Sequence, residues 1–445
     1  MTCRDCSFRL AKGRGAMFRG LPATARRVCG RAFAPVVVVI SVAALGVGAA
    51  APAGATPPEL PAESSGTAES TSGHLSGVAC LSTNSCYAVG GTSDKTLVQR
   101  WDGTEWSIVA SPNPPRVAYT SLADVSCANA RSCFAVGSSQ SGTGNTVGRQ
   151  LIEQWDGTRW SIVVSPKPPG AANTHLTDVA CLSPKKCFAV GTWSKSNGAE
   201  GKTLIEQWDG TRWSIAPSPN PPGGSSPYLG GVACSSAKHC VAVGSYRTSQ
   251  GTEATSSTGF IPDDGTLYRT LVEQWDGTRW SIIPSPTPPG TSYPGLAAVA
   301  CHSAKSCVAV GGSVAFPEGT PSGRAPAAGT TLVEEWNGTS WSIVPSPNPP
   351  GASGGDSVSL GGVACPSATR CLAVGSYGCC EDNTAFVEQW DGTGWSMVTT
   401  PTLSGSYGLG AVACPSTTSC FAVGEDITAR APLIEHWDGT TWSIT

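Results

Sequence analysis

Short apolar runs separated by turn residues recur along the chain in one fixed order, seven times. The unit is clearest from Leu176 to Gly223, where a run ending at Cys181 is followed by runs at 187–191, 204–208 and 213–215. Each run is rich in Val, Ile, Phe or Trp and is bounded by Gly, Pro, Asp or Ser, which is typical of short β-strands. The pattern predicts four strands per unit, called a, b, c and d in chain order. No segment keeps a helical period over about ten residues, so no helix is predicted.

Seven units of this kind predict a β-propeller. Radial repetition of four-stranded antiparallel sheets lets an all-β chain protect its sheet edges, and the spacing of the units is that of propeller blades. We therefore predict an all-β fold, a seven-bladed β-propeller with four antiparallel strands per blade. The predicted ring covers residues 74–445, with blades near 75–115, 122–170, 176–223, 229–290, 296–351, 360–401 and 409–445. The first unit starts with strand a and the last stops after strand d, so the ring is predicted to close by packing blade 1 on blade 7.

Two cysteines separated by five residues join strands a and b of every unit. The pairs are Cys80/Cys86, Cys127/Cys133, Cys181/Cys187, Cys234/Cys240, Cys301/Cys307, Cys365/Cys371 and Cys414/Cys420. They end one strand and begin the next, so they face each other across a hairpin at a separation that a disulfide accepts. One hairpin disulfide per blade is predicted. Zinc binding is the less favoured alternative, because the spacing is not Cys-x2-Cys and the chain has only five histidines.

Two tryptophans flank the turn between strands c and d. In the third unit Trp208 and Trp213 enclose the turn from Asp209 to Arg212. Asp caps its own turn and Gly accepts a positive φ, so the loop closes a tight hairpin. Tryptophans at fixed positions in every unit predict packing between blades, which we favour over stacking on sugars. Strand d usually leads into a Ser-Pro-x-Pro-Pro segment, which cannot continue a sheet and predicts a stiff link to the next blade.

The units resemble kelch repeats. Strand b ends in the double glycines Gly90-Gly91 and Gly311-Gly312, and Trp-Asp-Gly stands where kelch repeats have Tyr-Asp-Pro. The second tryptophan and the Ser-Pro-x-Pro segment match the family's Trp and its following prolines. Five b strands carry a single glycine, and the cysteine pair is an addition to the kelch pattern. The Asp-Gly-Thr-x-Trp turn is also similar to a shortened Asp-box of the sialidase type. The kelch resemblance covers about residues 75–445, and both resemblances imply a β-propeller.

The N-terminus has the features of an export signal. Residues 1–31 carry eight basic residues and one acidic residue, and an uncharged apolar run follows from Ala32 to Ala50. Small residues at Ala53 and Ala55 fit an export cleavage site, so residues 1–55 are predicted to be a removable signal peptide. An uncleaved anchor is the alternative, because the apolar run is just long enough to span a bilayer. Residues 56–73, rich in Pro, Ser, Glu, Thr and Gly, are predicted to be a flexible tether.

The net charge and the cysteine content indicate where the protein is located and which class of partner it can bind. Without residues 1–55 the chain keeps 20 basic and 30 acidic residues, a formal charge of about −10. A domain this acidic repels phosphate backbones, so no nucleic-acid partner is expected. Export and patterned cysteines together indicate a disulfide framework in an oxidising compartment. We expect a secreted monomer that does not contact the membrane after signal removal.

The candidate binding surface is the face that carries the connections between strands b and c. These connections differ in length from blade to blade, whereas the opposite face repeats the same hairpins and turns, and variable loops on a rigid scaffold are where binding specificity usually resides. Plain tolerance of insertions is the alternative. Aromatic residues there could contact a protein or glycan ligand. They are Trp193, Tyr246, Phe260, Tyr268, Phe316 and Tyr377. The adjacent Cys379 and Cys380 could form a strained bridge with each other, a bond within the loop or a bond to a second chain.

The sequence gives little support for a catalytic function. None of the five histidines stands beside a nucleophile in a recognised motif, and no spacing resembles a calcium loop, so no cofactor and no metal are predicted. A sialidase-like enzyme would need three arginines in the central well, but Arg159, Arg212 and Arg279 are predicted to be turn residues paired with nearby acids or solvent. The sequence therefore predicts a binding module for a protein or glycan. A secreted carbohydrate-active enzyme, a hydrolase or lyase on the same scaffold, is the alternative.

Overall fold

The structure is a computed structural model that describes residues 72–141, 147–195, 201–249, 266–289, 291, 293–314, 329–379 and 382–445. The described residues form seven antiparallel sheets of four strands each. In every sheet the strands lie side by side in chain order, so each blade is contiguous in sequence. The predicted all-β, seven-bladed propeller with four antiparallel strands per blade is therefore confirmed.

The strands are numbered β1 to β28 in chain order, four to a blade. Blades 1 to 3 contain β1 (His74–Ser82), β2 (Ser85–Gly91), β3 (Thr96–Trp101), β4 (Trp106–Ile108), β5 (Tyr119–Asn129), β6 (Ser132–Ser141), β7 (Val147–Trp155), β8 (Trp160–Ile162), β9 (Asn173–Ser183), β10 (Lys186–Ser194), β11 (Lys202–Trp208) and β12 (Trp213–Ala216). Blades 4 and 5 contain β13 (Gly224–Ser236), β14 (His239–Ser249), β15 (Thr266–Trp275), β16 (Trp280–Ile282), β17 (Gly295–Ser303), β18 (Ser306–Val314), β19 (Gly329–Trp336) and β20 (Trp341–Val344). Blades 6 and 7 contain β21 (Ser357–Ser367), β22 (Arg370–Cys379), β23 (Asp382–Trp390), β24 (Trp395–Val398), β25 (Tyr407–Ser416), β26 (Ser419–Asp426), β27 (Ala431–Trp437) and β28 (Trp442–Ile444).

The predicted signal peptide, residues 1–55, lies outside the described residues, as does the tether up to residue 71. Both remain predictions. In the described part of the chain, no helix is long and apolar enough to cross a bilayer.

Seven disulfides close the hairpins between strands a and b, one in each blade. The Cα atoms of each pair are 4.0–4.1 Å apart. In blade 3, for example, Cys181 of β9 is the direct partner of Cys187 of β10. The predicted hairpin disulfides are thus all present. A sulfur that is bonded in a disulfide cannot act as a thiolate ligand, so His239, Cys301 and Cys307, which lie close together, do not make a zinc site.

The two cysteines of a pair differ in exposure, which the sequence pattern does not predict. The spacing places both of them at the end of a hairpin, where some contact with solvent is expected. The second cysteine, however, lies on strand b, and neighbouring blades cover both faces of that strand. Its sulfur packs in the apolar core, as Cys187 does beside Trp208 and Trp213. Five of these second cysteines have no exposed surface: Cys86, Cys133, Cys187, Cys240 and Cys420.

The tryptophan pairs pack between blades, as predicted. At four of the seven interfaces an aromatic side chain from strand b of one blade enters the tryptophan pair of the next. Phe134 of blade 2 lies 5.0 Å from the ring of Trp208 and meets Trp213 edge-on at 5.1 Å, both in blade 3. Such tilted and edge-to-face contacts stabilise beyond the apolar area they bury. We call this arrangement the interblade aromatic clamp.

The same clamp closes the ring. Phe421 of blade 7 lies 5.2 Å from the ring of Trp101 and 5.3 Å from that of Trp106, both in blade 1. The Gly73 N–H also donates to the carbonyl of Arg430, 2.9 Å away in blade 7. No strand is shared between the first and last blades of the described ring. The ring therefore closes by packing of blade 1 on blade 7, as the sequence predicts.

The turn between strands c and d is held by its first residue. In blade 3, Asp209 Oδ1 accepts hydrogen bonds from the Thr211 amide at 2.8 Å, the Thr211 hydroxyl at 2.6 Å and the Arg212 amide at 2.9 Å. Gly210 has φ +98°, the left-handed conformation that favours glycine. Asn337 makes the same bonds in blade 5. The predicted turn chemistry is confirmed.

Buried glutamates form a second link between blades. Strand c of blades 2 to 7 carries a fully buried glutamate: Glu153, Glu206, Glu273, Glu334, Glu388 and Glu435. In five of these interfaces a serine from the preceding blade's Ser-Pro segment donates to the carboxyl, as Ser165 does to Glu206 at 2.8 Å. Glu435 differs, because Thr400 replaces the serine and neither carboxyl oxygen has a partner among the described residues.

Burial raises the pKa of these carboxyls, so in the folded state they keep their protons to a higher pH than in the unfolded chain. The value is about 8 for Glu153 and Glu273 and about 7 for Glu206, Glu334, Glu388 and Glu435. The serine hydroxyls act in the opposite direction but do not offset the loss of solvation. In the unfolded chain the same groups ionise at about pH 4.3. Near pH 6.5 the folded protein therefore binds more protons than the unfolded chain.

We expect thermal stability to fall as the pH rises from 6.5 to 8.5. A raised folded-state pKa contributes stability that is present at low pH and is lost as pH passes through that pKa. Histidines whose pKa is lowered by burial, His175, His239 and His436, act in the opposite sense but only below about pH 6.5. Calorimetric Tm values across this range measure the effect.

Glu206→Gln is the matched variant for that experiment. Blade 1 carries Gln99 at the same position, and the amide oxygen can still accept from Ser165. The variant should show a shallower decline of Tm between pH 6.5 and 8.5, because one titrating group is gone. A Tm that is flat or rises over this range in the unsubstituted protein would contradict the assignment.

Ring closure can be tested with Phe421→Ala. Truncation of this fully buried ring should lower the free energy of unfolding by about 3–5 kcal/mol, because it leaves a cavity between Trp101 and Trp106. Urea denaturation measures the change. Ile444→Ala is the control, because Ile444 is 47% exposed in the same blade and should change stability little. Equal effects of both substitutions would show that the clamp does not close the ring.

Candidate functional site

The two faces of the ring differ in how far they vary. On one face, every blade presents the same disulfide hairpin and Asp/Asn-Gly-Thr turn. On the other, the connections between strands b and c range from residues 380–381 in blade 6 to residues 250–265 in blade 4. We call the second surface the variable face. The predicted site residues Tyr246, Tyr268, Trp193 and Tyr377 all lie on its strands, whereas Phe260 and Phe316 lie outside the described residues.

Most disulfide cysteines lie out of reach of a surface ligand. Where the second sulfur of a pair is fully enclosed between blades, a ligand on either face cannot reach it. This holds for the cysteines without exposed surface: Cys86, Cys133, Cys187, Cys240 and Cys420. Their contribution is to fix the hairpins, and the candidate contact residues are the aromatics and the channel residues described next.

Trp193 lies next to the end of strand β10 and is half-buried. It is paired across the hairpin with Lys202 of β11, whose ammonium lies 5.7 Å from the centre of the indole. The indole also packs on the apolar core between blades 2 and 3. One side of the ring is therefore fixed by the blade, and a cation already stands over it.

Tyr246 and Tyr268 lie on the long hairpin of blade 4, on adjacent positions of β14 and β15. Tyr246 packs on the core between blades 3 and 4. The ring of Tyr268 lies 5.0 Å from that of Tyr293 in a tilted arrangement, and the guanidinium of Arg247 lies over it. The two tyrosines are both half-buried, but they pack on different neighbours.

Tyr377 is the corresponding residue of blade 6. Its ring lies 6.2 Å from that of Phe386 on the adjacent strand, and its hydroxyl is close to Gly351 in the link between blades 5 and 6. Cys379 ends the same strand opposite Asp382, and Cys380 lies outside the described residues. The four described aromatics are thus anchored separately to blades 3, 4 and 6.

The central channel is the second candidate. It is lined by the innermost strands β1, β5, β9, β13, β17, β21 and β25, each of which has a β-bulge after its first leucine. The bulged positions carry small residues: Ser76, Ala123, Thr177, Gly230, Ala297, Gly361 and Gly410. The cavity they enclose is about 180 Å³. This is smaller than the roughly 300 Å³ at which small-molecule sites begin.

Two aspartates interrupt this small-residue lining. Asp124 and Asp178 follow the bulge in blades 2 and 3, where all five other blades have Gly or Ala. Asp124 Oδ2 accepts from the Val179 amide at 3.2 Å, and that amide also donates to Asp178 Oδ1 at 2.7 Å. Asp178 Oδ2 accepts from the Val232 amide at 2.7 Å. The two carboxyls therefore link three consecutive inner strands.

The electrostatics of the pair follow from this geometry. Burial raises the pKa of both aspartates, and the negative charge of Asp124 raises that of Asp178 further. A hydrogen bond between the two side chains favours ionised Asp124 and protonated Asp178. In blade 4, where Gly231 stands at this position, a Cβ would lie 2.8 Å from the Ala298 Cα, so neighbouring inner strands there meet directly.

Neither Asp124 nor Asp178 was among the predicted site residues. The only signal was an acidic residue at the second variable position of the Leu-x-x-Val motif in two adjacent units. The turn arginines, in contrast, lie where predicted, with the Nε of Arg159, Arg212 and Arg279 3.7–3.9 Å from the turn aspartate. These exposed arginines are on the c–d turns and do not line the central channel.

No protein-family model matches the chain, and no curated protein matches it either. Several solved structures are similar to it. YCF48 from Cyanidioschyzon merolae is 16% identical over 82% of this chain and 96% of its own, with a TM-score of 0.44. The WD40 propeller domain of Doa1 is 9% identical over 84% and 94%, with a TM-score of 0.46. A fucose-specific lectin from Aleuria aurantia is 11% identical over 84% and 95%, with a TM-score of 0.40. These likenesses concern the fold alone.

The structural role of the aspartate pair can be measured. Asp178→Ala leaves the buried Val232 amide without an acceptor, which should lower the free energy of unfolding by about 1–3 kcal/mol. Asp178→Asn keeps an oxygen at the same place and should cost clearly less. Urea denaturation of both variants provides the comparison. A fully stable Asp178→Ala protein would show that the carboxyl does not hold the inner strands together.

Proposed function

We propose that the chain is a secreted binding module that engages a protein or glycan ligand through the variable face. The observation that carries the proposal is the contrast between the faces. One face repeats the same type of hairpin and turn in every blade, whereas on the variable face the b–c connections differ in length between most blades. Differences in length on an otherwise repeated scaffold are typical of ligand-binding loops.

The described aromatics support this role. Trp193, Tyr246, Tyr268 and Tyr377 are each half-buried, with one side packed on a blade. An aromatic ring held in this way loses little conformational entropy when a ligand covers its other side. Tyrosine and tryptophan also combine apolar area with a hydrogen-bonding group, which suits both protein and sugar surfaces.

Secretion belongs to the proposal. Seven disulfides in one ring fit an oxidising compartment, because reducing compartments keep thiols free. The basic and apolar N-terminal segment would direct the chain there.

A carbohydrate-active enzyme is the second candidate, and the aspartate pair is the observation that favours it. Glycosidases use two carboxyls, about 5–9.5 Å apart, on either side of the scissile bond. Asp124 and Asp178, however, hydrogen-bond to each other and accept from one shared amide. Their oxygens are occupied by backbone N–H groups, and a sugar has no place between them. We therefore favour the binding module.

The proposal is tested by screening the purified chain on a glycan array and a peptide array. We expect at least one specific ligand, and we expect Trp193→Ala or Tyr268→Ala to weaken its binding about tenfold or more, a loss typical of an aromatic anchor. Ile108→Ala is the control, because Ile108 is 57% exposed on the outer strand of blade 1. Tm values of all variants separate lost contact from lost folding.

Two outcomes would contradict the proposal. One is a ligand whose binding survives substitution of all four described aromatics. The other is turnover of a glycan that Asp178→Asn abolishes while Tm is preserved, which would support the enzyme instead.

A further inference from the structure

Strand b places two residues against the tryptophan pair of the next blade, one on each side of its cysteine. The residue after the cysteine is aromatic at four interfaces: Tyr87, Phe134, Phe188 and Phe421. At the other three interfaces it is Val241, Val308 or Leu372. An aliphatic side chain does not fill the space beside the two indoles as an aromatic ring does. A second residue is therefore needed to cover the tryptophans at these three interfaces.

The residue before the cysteine is basic, and long enough to extend into the interface, in two of the three aliphatic interfaces. Arg370 of blade 6 places its guanidinium 5.7 Å from the ring of Trp437 in blade 7. His239 of blade 4 lies against the Cys301–Cys307 disulfide of blade 5 and within 2.7 Å of the Gln274 amide nitrogen. At the interface of blades 5 and 6 the residue is Ser306, which is too short for this role. Among the seven interfaces of the described ring, only this one has neither an aromatic residue nor a basic one at these two positions.

A cavity of about 110 Å³ results between blades 5 and 6. It opens at the end of the blades opposite the variable face. Val308, Ser306 and the imidazole of His302 line it on blade 5. The indoles of Trp336 and Trp390 line its sides, and Glu335 contributes a carboxyl. The volume suits one functional group or side-chain end and is too small for a drug-sized ligand.

Glu335 makes the cavity chemically unlike its counterparts. Blades 2, 3, 4 and 6 carry glutamine at this position: Gln154, Gln207, Gln274 and Gln389. Glu335 Oε1 is buried and has no hydrogen-bond partner in the described part of the chain. Burial raises the pKa of the carboxyl, while the Trp395 indole N–H nearby acts in the opposite direction. A cation in the cavity would stabilise the ionised carboxylate and supply the missing partner.

Other interfaces show what fits beside such a tryptophan. Lys186 Nζ lies 5.1 Å from the ring of Trp275 at the interface of blades 3 and 4, and Arg370 covers Trp437 at the interface of blades 6 and 7. A cation over an indole face is stabilised by the ring's quadrupole, and a carboxylate beside it adds a charge-assisted hydrogen bond. At these two interfaces the chain's own basic side chains thus occupy the position that corresponds to the cavity.

We propose that the cavity between blades 5 and 6 binds the cationic end of a ligand, an alkylammonium or guanidinium group, which lies against Trp390 and pairs with Glu335. The site takes the place that Lys186 and Arg370 fill in other interfaces. It is separate from the variable face, so it does not depend on the proposed function. The cation could come from a free amine or from a basic side chain of a partner protein.

Isothermal titration calorimetry of the full chain tests the proposal. The probes are N-acetyl-lysine N-methylamide, N-acetyl-arginine N-methylamide and the uncharged N-acetyl-norleucine N-methylamide. We expect at least one cationic probe to bind about tenfold or more tightly than norleucine, since a charge-assisted bond adds at least about 1.5 kcal/mol. Butylammonium chloride and the peptide Gly-Gly-Lys-Gly-Gly distinguish the sources: a partner's side chain predicts tighter binding of the peptide, and a free amine predicts tighter binding of butylammonium.

Three variants locate the site. Val308→Phe introduces the residue of blades 2, 3 and 7, and should abolish binding while raising Tm, because the ring fills the cavity. Glu335→Gln introduces the residue of four other blades and should weaken binding about tenfold or more. Glu105→Gln makes the same chemical change in the exposed turn of blade 1 and should leave binding unchanged.

The proposal is overturned if no cationic probe binds up to tens of millimolar, or if all probes bind equally. It is also overturned if both Val308→Phe and Glu335→Gln, folded by their Tm, bind as the unsubstituted chain does. Failure of either kind leaves the variable-face proposal intact, because the arrays test a different surface.

Discussion

The interblade aromatic clamp is the contact on which the rest of the ring depends. A four-stranded sheet buries little when it stands alone, and each blade here becomes stable only by covering the tryptophan pair of the next. Phe134, Phe188 and Phe421 are fully buried in these contacts. Disulfides and turn aspartates fix the ends of the hairpins that present the rings. The bonds within each blade therefore hold its hairpins in the position that packing against the next blade requires.

Much of this could be predicted from the sequence because its causes are local. A cysteine at the end of strand a and another at the start of strand b define a hairpin by their spacing alone. Asp209 and Gly210 define a turn by their conformational preferences. Seven repetitions of these signals leave few architectures other than a propeller. The number of blades, the strand order and the ring closure all follow from counting and phasing the units.

The inner channel could not be predicted in the same way. Asp124 and Asp178 occupy a strand position that carries Gly or Ala in the other five blades, and their role depends on amides contributed by the following blade. The aromatics of the variable face show a related difference. Trp193 and Tyr377 were placed in loops by the sequence, but strands β10 and β22 continue past their glycines and hold both residues on the sheet. Strand length beyond a motif is set by pairing with the neighbouring strand, which the motif does not encode.

The missing partner of Glu435 makes the blades unequal. Blade 7 lacks the serine-to-glutamate bond on its blade 6 side because Thr400 stands in the link, and blade 1 presents Gln99 where a glutamate would receive such a bond. Proteins open first where the fewest contacts must be broken. Blade 7 is thus the blade expected to separate first from its neighbour, and its amides would exchange with deuterium earliest. A closed ring of similar blades can therefore still differ in local stability from one interface to the next.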